Sequence, residues 1–168
     1  MKKTIIFICL IVTLICNIAY ASIPVPLSDV LKAENYMEKF NSIGRKISPQ
    51  RQLSLKEKKI INNGEMISYR FDDYDRIAVV LYCDMLNNIQ DIRIITDRVK
   101  EPFVANTFVA LETIDYKKDN EQSEHIDLIY TAINNGYAEY WSSNTKRKYQ
   151  LIYKVYQNFI MLDIFAEK

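Results

Sequence analysis

A nine-residue segment, RIAVVLYCD at residues 76–84, constrains the fold more than any other part of the chain. The side chains of a β-strand alternate between its two faces. Both faces of this segment are apolar: one carries Ile77, Val79, Leu81 and Cys83, and the other carries Ala78, Val80 and Tyr82. A short run that is apolar on both faces predicts a central strand of a sheet. We therefore expect the Cys83 thiol to be buried in the core.

Turn signals divide the neighbouring sequence into further strands. Asn63-Gly64 lies between two apolar runs, and both residue types tolerate the positive φ of a tight hairpin turn. In IQDIRIIT at residues 89–96, isoleucines alternate with Asp91 and Arg93, which predicts a strand with one wet face. The pattern indicates four consecutive strands over residues 53–96. Three more strands are predicted near the C-terminus, in YAEYWSS, KYQLIYKVY and FIMLDIF.

Three other segments have the three- and four-residue apolar spacing of amphipathic helices. The first runs from Val30 to Ile43, and Gly44 stands where we expect it to end. Glu101-Pro102 is predicted to begin the second helix, and Asn135-Gly136 to end the third. This order of elements predicts a single α+β domain with a mostly antiparallel sheet, in the order α-β4-α2-β3, and with the helices packed on one sheet face.

The first 21 residues have the form of a cleaved secretory signal peptide. Two lysines precede an apolar run from Ile5 to Cys16, and Ala19-Tyr20-Ala21 supplies a small-x-small cleavage site. The apolar run is shorter than the roughly 20 residues that a permanent membrane span requires. We therefore predict that residues 22–168 form one exported domain without a membrane span. The short signal with its two-lysine start favours the periplasm over full secretion.

Signal cleavage also changes the charge and the cysteine content. The 22 Lys and Arg residues fall to 20, against 21 Asp and Glu, and Cys83 is left as the single cysteine. A nearly neutral chain has no net positive field that would attract a phosphate backbone, so no nucleic-acid partner is predicted. A single thiol cannot form an intramolecular disulfide.

The sequence offers few groups for catalysis or for metal binding. His125 is the single histidine, and its position beside Glu121 and Glu124 on a predicted helix indicates a solvated side chain. One histidine and one cysteine cannot supply an ordinary zinc site. The FDDYDR segment lacks the spacing of a calcium loop and is interpreted as a solvated turn. With three glycines in the chain there is no glycine-rich phosphate loop, so no cofactor, metal or catalytic residue is assigned.

The aromatic C-terminal hairpin remains as the candidate binding region. Alternation places Tyr149 and Tyr153 on one face together with aliphatic residues, as in ordinary cross-strand packing. Tyr140 and Trp141, next to the polar tip SSNTKRK, and Tyr156 are the candidate contacts for a partner.

Three classes of function follow from these observations. The first is a non-catalytic exported interaction protein that binds a protein or peptide partner in the cell envelope, as an inhibitor or an immunity-type protein. The alternative is a small envelope hydrolase or glycan-binding enzyme that uses carboxylates and the aromatic hairpin. A second alternative is a carrier of an apolar ligand held between the sheet and the helices.

Overall fold

The computed structural model describes residues 24–99, 101–117 and 123–167. The helices are α1 (Ala33–Ile47), α2 (Glu101–Ile114) and α3 (Ser123–Asn135). The strands are β1 (Pro24–Val25), β2 (Ser54–Ile61), β3 (Met66–Asp72), β4 (Ala78–Asp84), β5 (Ile89–Thr96), β6 (Tyr137–Ser142), β7 (Arg147–Val155) and β8 (Ile160–Glu167). The predicted signal peptide, residues 1–21, lies outside the described residues. No described helix has both the length and the apolar character that crossing a membrane requires.

All strands belong to one antiparallel sheet. Its order is β2-β3-β4-β5-β8-β7-β6, and the two-residue strand β1 pairs with the end of β8. Two meanders, β2 to β5 and β6 to β8, are joined where β5 pairs with β8 from Asp91↔Phe165 to Thr96↔Ile160. The predicted α+β fold with a mostly antiparallel sheet is therefore confirmed. The β4 strand lies between β3 and β5, as its two apolar faces predict, and Cys83 is fully buried.

One face of the sheet and the three helices enclose a single hydrophobic core. The strands contribute every second residue, including Val79 and Leu81 of β4, Ile92 and Ile94 of β5, and Leu162 and Ile164 of β8. The helices contribute Tyr36 and Phe40 of α1, Phe103 and Leu111 of α2, and Ile129 of α3. The α2 helix lies between α1 and α3, because it contacts both of them as well as β5.

The opposite face of the sheet carries a half-buried polar cluster. The Arg93 side chain donates hydrogen bonds to Asp163 Oδ1 at 2.6 Å and to the Tyr82 hydroxyl at 3.2 Å. Burial, together with the nearby charge of Asp163, raises the pKa of Asp91 to about 7. The wet face that the β5 alternation predicts is therefore present, and it is arranged around one guanidinium.

The predicted end of the first helix is wrong, and so is its start. Val30 is highly exposed and precedes α1, which begins at Ala33 and continues through Gly44 to Ile47. A Cβ atom at position 44 would lie 2.5 Å from the carbonyl oxygen of Arg51. Gly44 is therefore needed for a close approach between the helix and the following loop, and it does not end the helix.

We expect Gly44→Ala to destabilise the protein by about 1–3 kcal/mol, because the added methyl group overlaps backbone that cannot move away independently. This cost exceeds the gain of up to about 1 kcal/mol that alanine brings to a helix interior. Urea unfolding measures the difference. Ser42→Ala, at an exposed position of the same helix, is the control and should be neutral or slightly stabilising. A Gly44→Ala variant as stable as the wild type would contradict the close-approach explanation.

Candidate functional site

The three candidate residues of the hairpin do not form one surface. Tyr140 points toward the helices, and its ring stacks on Tyr149 at a centroid distance of 5.3 Å. Its neighbour Trp141 points to the other face of the sheet and is 58% exposed. Tyr156 stacks on Phe159 in the β7–β8 turn, with ring centroids 4.6 Å apart. Trp141 pairs with Lys148, so Tyr156 lies eight residues farther along the hairpin, roughly 26 Å away at 3.3 Å per residue.

His125 is buried, and the prediction of a solvated side chain is wrong. Its side chain is 1% exposed, and its Nδ1 atom lies 2.6 Å from Glu112 Oε1. On the other side of the ring, Nε2 lies 3.2 Å from the Tyr140 hydroxyl and 3.8 Å from Asp115 Oδ2. The described partners of His125 come from α2, from the residue that follows it and from β6, and the neighbouring Glu124 is not among them.

Asp115 is the second centre of this buried cluster, which we call the carboxylate–histidine network. Its Oδ2 accepts a hydrogen bond from the Tyr140 hydroxyl at 2.9 Å, and its Oδ1 accepts one from the Ser142 hydroxyl at 2.8 Å. The Lys117 backbone N–H donates to Glu112 Oε2 at 3.2 Å. The network therefore links the C-terminal end of α2 to α3 and to the edge strand β6.

The electrostatics of the network favour a charged imidazole. Burial by itself lowers the pKa of His125, but the hydrogen bonds and charges of Asp115 and Glu112 outweigh it, and the pKa lies above its ordinary value. Burial raises the pKa of Asp115, yet hydrogen bonds from His125, Ser142 and Tyr140 hold the net value below the usual range. When it is protonated, the imidazole can donate from both nitrogens, with Glu112 on one side and Tyr140 and Asp115 on the other.

These side-chain types also occur in hydrolase active sites, but here they are enclosed. Glu112, Asp115 and His125 are each 1% exposed, and Ser142 is fully buried. Ser142 donates to Asp115 and makes no hydrogen bond to His125 within the described part of the chain, so the arrangement differs from a nucleophile–base pair. In this conformation the network fixes the position of α3 and presents no open face to a substrate.

The raised pKa makes stability depend on pH. A group whose pKa is higher in the folded state stabilises the protein. This stabilisation is fully present below the pKa of the unfolded state, which is near 6.5 for histidine, and it is lost as the pH rises through the pKa of the folded state. Because His125 is the single histidine, its C2–H resonance can be followed without assignment. We expect an NMR titration midpoint above 6.5 in the folded protein and near 6.5 in urea. A folded midpoint below 6.5 would show that burial outweighs the two carboxylates.

We expect Tyr140→Phe to destabilise the protein by about 1–2 kcal/mol, since it removes a hydrogen bond to a buried carboxylate but keeps the ring. Urea unfolding at pH 6 measures the change. Tyr137→Phe, at an exposed position of the same strand, is the matched control and should change stability by less than about 0.5 kcal/mol. Equal effects of the two substitutions would indicate that the Tyr140 hydroxyl has no special role.

A second candidate site lies on the outer surface of the helices. A concavity of about 380 Å³, which we call the helix groove, lies over α2 between α1 and α3. Its lining residues are Ile47 of α1, Glu101, Val104, Ala105 and Phe108 of α2, and Ile126 and Tyr130 of α3. Six of the seven are apolar or aromatic, and Ile47, Ile126 and Tyr130 are each at least 40% exposed.

The apolar composition of the α2 segment indicates this groove, although the periodicity of its apolar residues does not. The α2 segment FVANTFVAL is apolar on almost every side, whereas an ordinary surface helix has one polar face. A helix of this kind must be covered nearly all around, which places it in the middle of the helix layer. Val104 and Phe108 are half-buried: they pack against the core and also form the floor of the groove.

No protein-family model matches the sequence, and comparison with curated proteins and with solved structures also finds no match.

Proposed function

We propose that the chain is a non-catalytic interaction protein that binds an amphipathic helix of a protein partner in the helix groove. The observation that carries the proposal is the helix groove, in which the half-buried apolar strip of α2 lies between exposed apolar residues of α1 and α3. Contiguous exposed apolar surface is typical of interaction sites. A groove between helices suits an amphipathic helix, whose residues at i, i+3, i+4 and i+7 would contact Val104, Phe108 and Ile126.

The charges beside the groove define the partner further. Arg45 and Lys46 are exposed in the last turn of α1, next to the lining residue Ile47. On the other side, Asp127 is exposed on α3, next to the lining residue Ile126, whereas Glu124 pairs with Lys117 at 3.2 Å. A partner helix with acidic residues on its α1 side and basic residues on its α3 side would complement both flanks, and this arrangement would select one orientation.

The predicted signal peptide supports an exported location, with the periplasm as the proposed compartment. An envelope protein that covers an apolar helix of another exported protein would act as an inhibitor or an immunity-type partner. The enzyme alternative finds less support, because the described cluster with catalytic side-chain types is enclosed. The carrier alternative would need the helix groove, because the hydrophobic core fills the space between the sheet and the helices where this alternative places its ligand.

Selection from a library of helical peptides, followed by fluorescence anisotropy, tests the proposal. We expect the selected peptides to carry apolar residues at i, i+3 or i+4, and i+7. Ile126→Glu should weaken their binding at least tenfold, because it places a charge where an apolar contact of about 1.5–3 kcal/mol forms.

Val155→Glu is the matched control, since Val155 is an exposed aliphatic residue on the hairpin, and it should leave affinity unchanged. A third variant, Trp141→Ala, separates the two candidate surfaces. Peptides that lose affinity with Trp141→Ala but not with Ile126→Glu would move the interface to the hairpin. Failure to select any peptide above background would reject the proposed function.

A further inference from the structure

A polar cavity lies at the end of the sheet, beside the first turn of α2. Its volume is about 520 Å³, and it opens where the β3–β4 turn meets the segment between β5 and α2. Buried Ile77 and Thr96 belong to its lining, together with Pro102 of α2. The other lining residues are two acids and two arginines: Asp75, Arg76, Asp97 and Arg98.

Partly buried hydrogen bonds hold the walls of this cavity in place. Asp73 Oδ1 accepts from the Ile77 backbone N–H at 2.8 Å, and Asp73 Oδ2 accepts from the Asn106 side chain at 2.6 Å. The Pro102 carbonyl accepts from Asn106 at 3.0 Å and from Arg51 at 3.1 Å. The turn that carries Asp75 and Arg76 and the first turn of α2 are thus tied to the same buried groups. Walls fixed in this way are preorganised for a ligand.

The four charges of the cavity are not equivalent. Arg98 and Asp97 already pair with each other at 3.6 Å. The side chains of Asp75 and Arg76 make no hydrogen bond or ion pair within the described residues, and both are exposed. One carboxylate and one guanidinium therefore stand next to each other at the cavity without partners from the described chain.

Two buried polar atoms without described partners lie behind the Pro102 wall, on residues that do not themselves line the cavity. Arg51 Nε and Asn106 Oδ1 are buried and lack a hydrogen-bond partner among the described residues. Arg51 is 7% exposed, Asn106 is fully buried, and both bond to the Pro102 carbonyl at the cavity wall. Buried polar atoms without partners are uncommon in native proteins, and ligands or ordered waters often satisfy them.

We infer that this cavity binds a small zwitterion of the α-amino-acid or short-peptide class. The ligand's carboxylate pairs with the Arg76 guanidinium, and its ammonium group pairs with Asp75. An apolar side chain of the ligand lies against Ile77 and Pro102. The Asp75 carboxylate would repel a simple anion, and the Arg76 guanidinium would repel a simple cation, so the paired charges select against both. The cavity volume lies in the range of small-molecule sites. This inference does not depend on peptide binding in the helix groove.

Isothermal titration calorimetry on the purified protein tests the inference with four probes: L-leucine, leucyl-leucine, N-acetyl-leucine and leucinamide. We expect the two zwitterions to bind. N-acetyl-leucine lacks the ammonium group and leucinamide lacks the carboxylate, so each should bind about tenfold or more weakly, which is the usual effect of losing one hydrogen-bonded charge pair.

The variants Arg76→Gln and Asp75→Asn should each weaken leucine binding about tenfold, while Lys56→Gln, at an exposed position on β2, should not change it. Thermal unfolding of each variant verifies that the fold is intact. Equal binding of all four probes, unchanged binding by both cavity variants, or no binding of either zwitterion would overturn the inference.

Discussion

The rest of the structure depends on one constraint: the apolar helix α2 has to be covered by other elements on nearly every side. Of its 14 residues, Glu101 alone is exposed, and nine are buried. The sheet lies beneath it, and α1 and α3 lie on its two sides. A helix this apolar would be insoluble as a surface element, so the flanking helices are required for the sheet and α2 to form a stable domain. The polar groups that α2 carries must then be satisfied inside the protein.

The buried threonines and carboxylates at α2 are satisfied in two different ways. Thr107 and Thr113 donate to the carbonyls four residues earlier, at 2.9 and 2.6 Å, and need no partner from another element. Glu112, and Asp115 just beyond the helix, are carboxylates, and burying a charge without compensation costs far more than burying a hydroxyl. Their compensation comes from His125 on α3 and from donors on β6, so charge neutralisation decides where α3 can lie.

The sequence predicted those elements whose fold depends on near neighbours in the chain. Alternation in residues 76–84 located β4 and the burial of Cys83 without any knowledge of its partners. The environment of His125 could not be predicted in this way, because its partners lie 13 and 15 residues away in sequence. The role of Gly44 could not be predicted either, because a glycine that ends a helix and a glycine that admits a neighbouring carbonyl look the same in a single sequence.

The candidate sites were hidden for the same reason. Both concavities are made by residues from separate elements, such as Ile47 with Phe108 and Ile126, or Arg76 with Arg98 and Pro102. In contrast, Tyr140, Trp141 and Tyr156 were predicted as contacts because they are aromatic residues of one hairpin with a polar tip. Strand alternation separates the first two, and the length of the hairpin separates the third.

Each part of α2 thus has a distinct environment. Its first turn adjoins a polar cavity, its C-terminal end is fixed by the carboxylate–histidine network, and its middle is apolar and only half-buried on the outward side. A partner that covered this outward strip would complete the burial that α1, α3 and the sheet begin. The apolar composition that makes α2 a good core helix is therefore also the reason why we propose this side for association.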